Sequence, residues 1–351
     1  MTKDIKKKSR LKTLLIIGLI LFIAAAFFAY KGYSMFYKSN INLKGKKSTY
    51  LYIPTGSNYQ DVKKILYDND IIIDNTSFEW LAVYKNYNKN VKSGKYKITT
   101  GMSNNNLLNM LISGKQEPVK LVFNNVRTKY QLAGKISKQI EADSISIIQL
   151  LNNSNFLSDY ELTPDNAIVV FIPNTYEFYW NTSAVMLFER MNNEFKTFWN
   201  KERTSKAEDI GLNPIQLTVL ASIVQEETNK YDEMPIVAGL YINRLKKDMK
   251  LEADPTVKFA IGDFGLKRIL KSHLSINSPY NTYLNIGLPP GPISLPNTTV
   301  IDKTLNYTKH SYIFMCAKED FLGYHNFAVT NSEHNINAKR YQNALNRLKI
   351  K

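Results

Sequence analysis

The apolar residues of this chain fall into three patterns along its length. Residues 14–30 form an unbroken run without a charged side chain, LLIIGLILFIAAAFFAY. Residues 49–115 mix strand-like and helix-like periods, beginning with the alternation from Thr49 to Ile53. From Asn213 onward, apolar residues recur at spacings of three and four, which is typical of amphipathic helices. The pattern predicts an α+β protein with an N-terminal transmembrane helix, a small α+β domain and a mainly helical C-terminal domain.

The first apolar run is just long enough to cross a membrane, because a helix rises about 1.5 Å per residue and the hydrocarbon core is roughly 30 Å thick. Basic side chains precede it at Lys3, Lys6, Lys7, Lys8, Arg10 and Lys12. The positive-inside rule keeps such a cluster in the cytoplasm. We therefore expect a single-pass protein of the cell (inner) membrane, with a cytoplasmic N-terminus and the remainder of the chain periplasmic or extracellular.

A cleavable signal peptide is the alternative interpretation of this run. The three alanines at 24–26 offer the small residues that a signal peptidase requires. Phe27 and Phe28 extend the apolar run beyond that site, which favours a retained anchor.

Turn residues and periodicity divide the chain into six segments. Caps and alternating patterns predict strands near 49–53, 93–98 and 119–123 and helices near 58–69, 78–87, 104–112 and 128–140. The predicted segments are a basic tail (1–13), the transmembrane helix (14–30), a linker (31–48), a small α+β domain (49–115), an intermediate α+β region (116–206) and a C-terminal domain (207–351).

The charge balance favours an anionic partner. The chain has 46 Lys plus Arg against 30 Asp plus Glu, a net charge of +16. Nucleic acid, anionic lipid and the carboxylate-bearing peptides of a cell wall would all suit it. The sequence lacks a glycine-rich phosphate loop, a zinc-finger spacing and an RNA-binding strand motif, so we expect no nucleic acid partner. Its single cysteine, Cys316, excludes an internal disulfide.

One predicted helix carries a candidate catalytic carboxylate. Asn213-Pro214 provides the cap and first-turn proline of a helix start. Its apolar stripe, formed by Leu217, Leu220 and Val224, continues at Glu227. Burial disfavours an ionised carboxylate and raises its pKa towards that of a general acid.

Two residues near Glu227 in the sequence, Lys230 and Glu226, bear on its role. Glu227 could simply end the helix and pair with Lys230 at i+3, which on geometry alone is the more ordinary arrangement. Glu226 is rotated about 100° around the helix from Glu227 and should be wetter.

The segment Ala221-Ser222-Ile223-Val224-Gln225-Glu226-Glu227-Thr228 resembles the A-S-I-[IV]-x-x-E-T signature of the MltG (YceG-like) endolytic lytic transglycosylases. Further matches follow in order at 241–245 (YINRL), 251–257 (LEADPTV), 280–283 (YNTY) and 287–291 (GLPPG). Upstream, 93–96 (SGKY) resembles a strand of the family's LysM-like region, and 171–176 (FIPNTY) resembles its F-x-P-[DE]-T-[YW] element. Asn174 and Gln225 depart from the acids usual in the family.

The resemblance implies an enzyme of peptidoglycan. Residues 49–115 would form a LysM-like domain and residues 207–351 the catalytic domain. The expected activity is endolytic cleavage of the β-1,4 bond between MurNAc and GlcNAc, leaving 1,6-anhydroMurNAc ends and terminating nascent strands, with Glu227 as general acid and base. The nucleophile is the sugar's own hydroxyl, so no cofactor is expected. The expected partners are glycan strands, the lipid bilayer through one span and peptidoglycan synthases.

The matching motifs also supply candidate substrate-binding residues: Asn243, Asp254, Thr256, Tyr280, Asn281 and Tyr283. The resemblance adds His325 and His334, which correspond to H-x-F and H-N elements near the end of the family's catalytic domain. Asp254-Pro255 also has the form of a helix cap. The tyrosines and Asn281 suit sugar stacking and N-acetyl groups, although tyrosines are equally ordinary in cores. The spacing of the two histidines around Glu333 fits no zinc motif, so we expect no metal. His273 and His310 are expected to be surface or structural residues.

Two other functions remain open on the sequence. A hydrolytic muramidase would cleave the same bond with a second carboxylate, Asp254 or Glu252. A non-catalytic, membrane-anchored scaffold would only bind the wall, and a position of Glu227 away from any cleft would favour it.

Overall fold

The computed structural model describes residues 2–266 and 268–348. Met1, Lys267 and residues 349–351 lie outside it, and with them the ends of the predicted basic tail and of the predicted catalytic domain. The helices are α1 (Thr2–Tyr37), α2 (Tyr59–Asp68), α3 (Asn75–Tyr84), α4 (Asn104–Ser113), α5 (Lys129–Ile136), α6 (Ser144–Leu151), α7 (Ser154–Ser158), α8 (Ala184–Phe198), α9 (Lys201–Ile210), α10 (Pro214–Glu227), α11 (Met234–Leu245), α12 (Asp254–Ile261), α13 (Thr298–Leu305) and α14 (Asn331–Arg347). Short 3₁₀ helices cover Tyr87–Lys89, Ala167–Val170 and Lys271–Ser275.

The strands pair two by two. They are β1 (Ser48–Ile53) with β2 (Gly94–Thr99), β3 (Val119–Val122) with β4 (Thr175–Phe178), and β5 (Phe314–Ala317) with β6 (His325–Ala328). The β1–β2 pair is antiparallel and opposes Leu51 to Tyr96, and the β5–β6 pair is antiparallel and opposes Ala317 to His325. The mixture of helix and strand confirms the predicted α+β class.

Helix α1 presents apolar surface that no other described part of the chain covers. Residues 11–37 are long and apolar enough to cross a membrane, and their most apolar window has no buried residue. The helix continues seven residues beyond the predicted span, through Gly32. This single apolar helix is compatible with the predicted anchor.

The chain divides into two compact units, and unit 1 comprises residues 1–119 and 178–181. In unit 1 the β1–β2 hairpin and α2–α4 enclose a core around Phe78, Tyr96 and Leu107, each fully buried. Asn58 caps α2 in a reciprocal capping box with Asp61, as its place before the helix predicts.

The segment predicted as a linker contributes to this core. Ile41 and Leu43 are buried, and Ile41 forms an antiparallel bridge with Ile72. The polar residues around Ile41 and Leu43 led to the prediction of a solvated linker. Burial of these two apolar side chains lowers the free energy of the folded chain, so the segment packs onto the core instead.

Unit 2 comprises residues 120–177 and 182–351 and is organised around α10. Asn213 caps this helix through the backbone N–H of Gln216, whose side chain accepts a hydrogen bond from the Asn213 N–H in return. The predicted stripe of Leu217, Leu220 and Val224 is completely buried against α11 and α13. The stripe thereby fixes the direction in which the end of α10 points. The predicted domain boundaries at 116 and 207 stay predictions.

Candidate active site

Glu227 is the last residue of α10. The Tyr241 hydroxyl on the neighbouring helix α11 donates a hydrogen bond of 2.6 Å to its Oε1 atom. Burial raises the pKa of Glu227 to about 7, although the bond from Tyr241 and the charge of His325 oppose the shift; Asp254 adds to it. A carboxyl group with this pKa exists in both protonation states near neutral pH, as a group that donates and then accepts a proton must.

Glu227 and Lys230 do not form the ion pair that would be the ordinary role of Glu227. The Lys230 ammonium lies 4.8 Å from the centre of the Tyr324 ring. Among the described residues, Glu227 has no ion pair with it. The carboxylate is therefore directed towards Tyr241, away from the end of its own helix.

Two pockets meet at Glu227 and Asp254, and both lie in unit 2. The first, which we call the basic pocket, has a volume of about 470 Å³ and is also lined by Arg127, Glu226, Lys258, Phe259, Phe264 and Arg268. The second, which we call the histidine pocket, has a volume of about 410 Å³ and is lined by Tyr241, Arg244, Glu252, Tyr283, Phe314, His325 and His334. Both volumes are in the range of small-molecule sites.

A buried ion pair anchors the histidine pocket. His325 begins β6, and its Nδ1 lies 2.9 Å from Oε2 of Glu233, whose other oxygen accepts the His325 backbone N–H at 2.7 Å. Burial alone would lower the pKa of His325, but the bond and charge of Glu233, with a contribution from Glu227, raise it overall. The imidazole is therefore held in one orientation and carries positive charge next to Glu227 over a wider pH range.

Asp254 does not cap its helix, contrary to the prediction. Ala253 occupies the cap position, and Asp254 is the first residue of α12. Its carboxylate accepts a 2.7 Å hydrogen bond from the Tyr283 hydroxyl instead. Glu252 pairs with the buried guanidinium of Arg244. A contact to a residue 29 positions away has thus replaced the local contact of Asp254.

The basic pocket contains the other glutamate of the pair. Glu226 accepts a 2.7 Å ion-pair bond from Arg127, whose guanidinium also lies 5.1 Å from the Phe264 ring. Glu226 is therefore paired with Arg127 and part-buried, with 21% of its side chain exposed. Lys258 and Arg268 have no ion-pair partner among the described residues, so the pocket contains two cations that no ion pair neutralises.

Three of the predicted binding residues use their polar groups within the fold. The Asn281 amide donates to the carbonyls of Leu274 and Ile276, and its side chain is fully buried. The Asn243 amide donates to two carbonyls in the 310–312 segment. The hydroxyl of Thr256 lies 2.8 Å from that of Thr282. These contacts favour a role in shaping the site for all three.

Tyr280 and His334 lie at the edges of the site. The Tyr280 ring packs 4.7 Å from Phe259 and lines a smaller cavity of about 190 Å³ beside Arg127. His334 stacks at 5.4 Å on Phe314 in the histidine pocket, and its buried Nδ1 has no hydrogen-bond partner among the described residues. The Nδ1 atom of His334 is thus an unsatisfied polar group in the wall of this pocket.

The two departures from the family motifs have different surroundings. Gln225 bridges α10 to the loop that precedes α13: its amide donates to the Leu295 carbonyl and its oxygen accepts from the Asn297 N–H at 2.8 Å. A glutamate at this position would keep only the second bond. Asn174 is exposed and accepts a bond from the next backbone N–H.

Sequence reasoning missed three participants. Tyr241 lies inside a matched motif but gave no signal of its own, since tyrosine is common in cores. Glu233 contacts His325, which is 92 residues away in the sequence, and Arg127 contacts Glu226, which is 99 residues away. The spacing of neighbouring residues cannot predict such pairs.

Comparison with known proteins finds a matching family model and a similar crystal structure. The family model described as the YceG-like family matches residues 51–340, which is most of the chain. A crystal structure of a yceG-like protein from Listeria monocytogenes aligns with a TM-score of 0.53 and 27% identity, covering 83% of this chain and 99% of that one.

Two relatives bear the name endolytic murein transglycosylase. The Bacillus subtilis protein is 26% identical over 321 residues, which is 86% of this chain and 87% of the relative. The protein of Streptococcus pneumoniae strain D39 is 26% identical over 338 residues, again 86% of this chain. The chain spans 60% of the length of this second relative.

Proposed function

Because this chain belongs to the YceG-like family, we propose that it is a membrane-anchored lytic transglycosylase that cleaves peptidoglycan glycan strands internally. The observation that carries the proposal is the position of Glu227, a carboxyl group with a pKa of about 7 where two pockets meet. Pockets on both sides of a carboxyl group suit a polymer that passes it and is cut within its length. The names of the two relatives support the same substrate class.

The proposed reaction needs one residue for both proton transfers. Protonated Glu227 donates its proton to the glycosidic oxygen as the bond from the MurNAc anomeric carbon to that oxygen breaks. The resulting carboxylate then accepts the proton of the MurNAc 6-hydroxyl while that oxygen bonds to the anomeric carbon. The products are a GlcNAc 4-hydroxyl and a 1,6-anhydroMurNAc end, and no water is consumed. Such cleavage beside the membrane would terminate the elongation of new strands.

The neighbours of Glu227 support this cycle. Tyr241 fixes the carboxyl group through Oε1, which leaves Oε2 to face the substrate. The pKa of Tyr241 is raised well above the ordinary tyrosine value by burial and by Glu227, so its hydroxyl remains a donor throughout. The positive His325 stabilises the carboxylate between the two transfers.

Asp254 gives the hydrolytic alternative a specific basis. It lines both pockets with Glu227, and its charge raises the Glu227 pKa, so a second carboxylate is within electrostatic reach. Its hydrogen bond from Tyr283 suits an oriented, ionised group. A muramidase would release reducing MurNAc ends, whereas the proposed enzyme releases anhydro ends, so the mass of the products decides between them.

The test is Glu227→Gln in the purified full-length protein, digesting peptidoglycan and measuring anhydro-ended products. Loss of general acid and base action should lower the rate by at least about 10²-fold. The native pKa of Glu227 lies above the ordinary value of 4.5, so its ionisation costs native stability as the pH rises through about 7. Glutamine cannot ionise, and the melting temperature of the variant at pH 8 should equal or exceed that of the wild type.

The matched control is Glu208→Gln, the same substitution at an exposed position of α9 outside both pockets. It should keep the wild-type rate. Anhydro products at a near-normal rate from a folded Glu227 variant would refute the proposed role, and retained wall binding without any cleavage by the wild type would indicate a scaffold.

A further inference from the structure

We propose that unit 1 docks onto the outer surface of the lipid bilayer through an exposed aromatic and aliphatic surface at the end of α1. This surface, which we call the interfacial patch, consists of Tyr33, Tyr37, Ile73, Trp80, Val83 and Tyr84. The inference rests on the proposed anchor, since α1 must remain in the membrane, but it does not depend on the proposed chemistry. It assigns unit 1 a lipid partner of its own.

The C-terminal end of α3 exposes apolar side chains on its outer face, beyond the polar residues Asn75, Thr76 and Glu79. Trp80, Val83 and Tyr84 are 48%, 56% and 63% exposed. The inner face of the same helix buries Phe78 and Leu81 in the unit 1 core. Because the C-terminal end of α3 is apolar on its outer as well as its inner face, it is suited to an apolar environment on the outside.

The end of α1 lies directly against this face. The Phe36 ring centre is 6.1 Å from that of Trp80 and 5.8 Å from that of Tyr84. Trp80 and Tyr84 stack on each other at 5.4 Å. The patch is therefore continuous with the apolar surface of the span, and whatever surrounds the end of α1 also meets α3.

A buried polar cluster fixes α1 to the unit. Asn104 donates to the carbonyl of Met35 in the last turn of α1 and to the Ser77 hydroxyl of α3. Asn40, just after α1, donates to Asn104 at 2.7 Å and to the carbonyl of Asp74. Because these groups are buried and satisfied, α1 and α3 cannot swing apart without exposing several unpaired polar groups.

The depth of the patch matches the interfacial layer. Tyr33, the first residue of the patch along α1, lies about 4.5 Å beyond Tyr30 along a helix axis, and Phe36, which packs on Trp80, lies about 9 Å beyond it, at the outer edge of the layer. The headgroup layer extends roughly 5–8 Å on each side of the hydrocarbon core. Tryptophan and tyrosine concentrate at this depth, where the ring is apolar and the polar atom is wet.

The charges around the patch also suit lipid headgroups. Glu79, the acid on the outer face of α3, accepts bonds from the Lys63 ammonium at 2.8 Å and the Tyr67 hydroxyl at 2.9 Å. Lys31 and Lys38, on the end of α1 and just after it, have no ion pair among the described residues. Basic residues at this height are attracted to anionic lipid.

The test uses the full-length chain in vesicles of anionic and neutral phospholipid. Trp180→Phe with Trp199→Phe leaves Trp80 as the single tryptophan, and Trp80→Phe with Trp180→Phe leaves Trp199, which is 7% exposed in the unit 2 core. A nitroxide quencher near the head of the acyl chain should reduce Trp80 emission about twofold more than one at the chain end. Trp199 emission should respond to neither.

A substitution pair tests the patch itself. Val83→Glu, added to the chain that retains only Trp80, should reduce the quenching, because a charge at this depth opposes insertion. Val185→Glu places the same change on the exposed face of α8, outside the patch, and should leave the quenching unchanged.

Flotation with the vesicles tests the membrane anchor independently of the docking of unit 1. If the chain floats with the vesicles but Trp80 is quenched no more than Trp199, the anchor holds and the docking inference is wrong. If it does not float, both the anchor and the docking are wrong. Trp80 shielded in lipid-free detergent and unaffected by lipid quenchers would indicate a second copy on the patch, which also overturns the inference. No readout involves catalysis, so failure of the proposed chemistry is a separate result.

Discussion

The two pockets that meet at Glu227 differ in how far their charged side chains are paired. In the histidine pocket each acid has a specific partner: Glu227 with the Tyr241 hydroxyl, Glu252 with Arg244, and Asp254 with the Tyr283 hydroxyl. In the basic pocket Glu226 has Arg127, but Lys258 and Arg268 remain without a partner among the described residues. Fixed pairs orient groups and set pKa values, whereas unpaired cations attract anions. From this comparison we propose that the histidine pocket controls the proton and that the basic pocket holds the substrate.

This division predicts that changes in the histidine pocket alter kcat and its pH dependence, and that changes in the basic pocket alter KM. A loss of transition-state interaction lowers kcat and kcat/KM together, while a loss of uniform binding raises KM alone. Substitutions in the two pockets therefore give different kinetic results.

Tyr241→Phe should have the larger effect, because it releases the carboxyl group whose position the reaction requires. A misplaced catalytic group can slow a reaction by about 10²-fold, so we expect turnover to slow by roughly 10- to 10²-fold. The hydrogen bond from Tyr241 lowers the Glu227 pKa, so its removal should raise that pKa. Wild-type kcat/KM should fall as the pH rises through about 7, where the acid form is lost.

In Tyr241→Phe this decline should begin at higher pH, and the two pH profiles measure it. Phe at this position keeps the ring packing of a residue that is 1% exposed, so the fold should survive. A folded variant with an unshifted profile would show that Tyr241 does not set the Glu227 pKa. The matched control is Tyr307→Phe, which lies outside both pockets.

How far the sequence predicted this site depends on the range of each contact. The cap at Asn213, the stripe through Leu217 and the partly buried position of Glu227 follow from spacings of three and four within one helix, and the sequence predicted them. The partners that give each carboxylate its properties lie elsewhere in the chain, and Glu233 and His325 are 92 residues apart. Local periodicity contains no record of such pairs.

Two of the predictions that differ from the structure fail for the same reason. The local pattern predicts that helix α5 continues to Ile140, but the helix ends at Ile136. The Gln139 side chain instead bonds to both the N–H and the carbonyl of Val122 on strand β3. Asp254 similarly takes Tyr283 in place of a cap. In both cases the local pattern assigns a side chain to a helix or to its cap, and a polar group from another part of the chain forms a hydrogen bond with that side chain instead.

His325→Gln should have an intermediate effect. Glutamine can still bond to Glu233 but carries no charge, so the ionised form of Glu227 loses a stabilising neighbour and its pKa should rise. We expect roughly a tenfold loss in kcat, which corresponds to about 1.4 kcal/mol, with KM nearly unchanged. Steady-state kinetics on soluble glycan strands measure both. A variant with normal kcat and raised KM would place His325 in substrate binding and break the proposed division.

The smallest effect should come from the basic pocket. Lys258→Gln removes one unpaired cation beside Glu227 without touching a hydrogen bond among the described residues, so kcat should stay within about twofold of the wild type. If this pocket holds carboxylate-bearing parts of the strand, KM should rise by about 2- to 5-fold, the range of one screened charge contact. Wild-type KM should increase with salt, and this dependence should weaken in the variant because fewer charges remain to be screened. Lys247→Gln, at an exposed position outside both pockets, provides the matched control and should retain the full salt dependence. The comparison between the pockets would collapse if Lys258→Gln lowered kcat at unchanged KM, because the cation would then act on the proton and not on the strand.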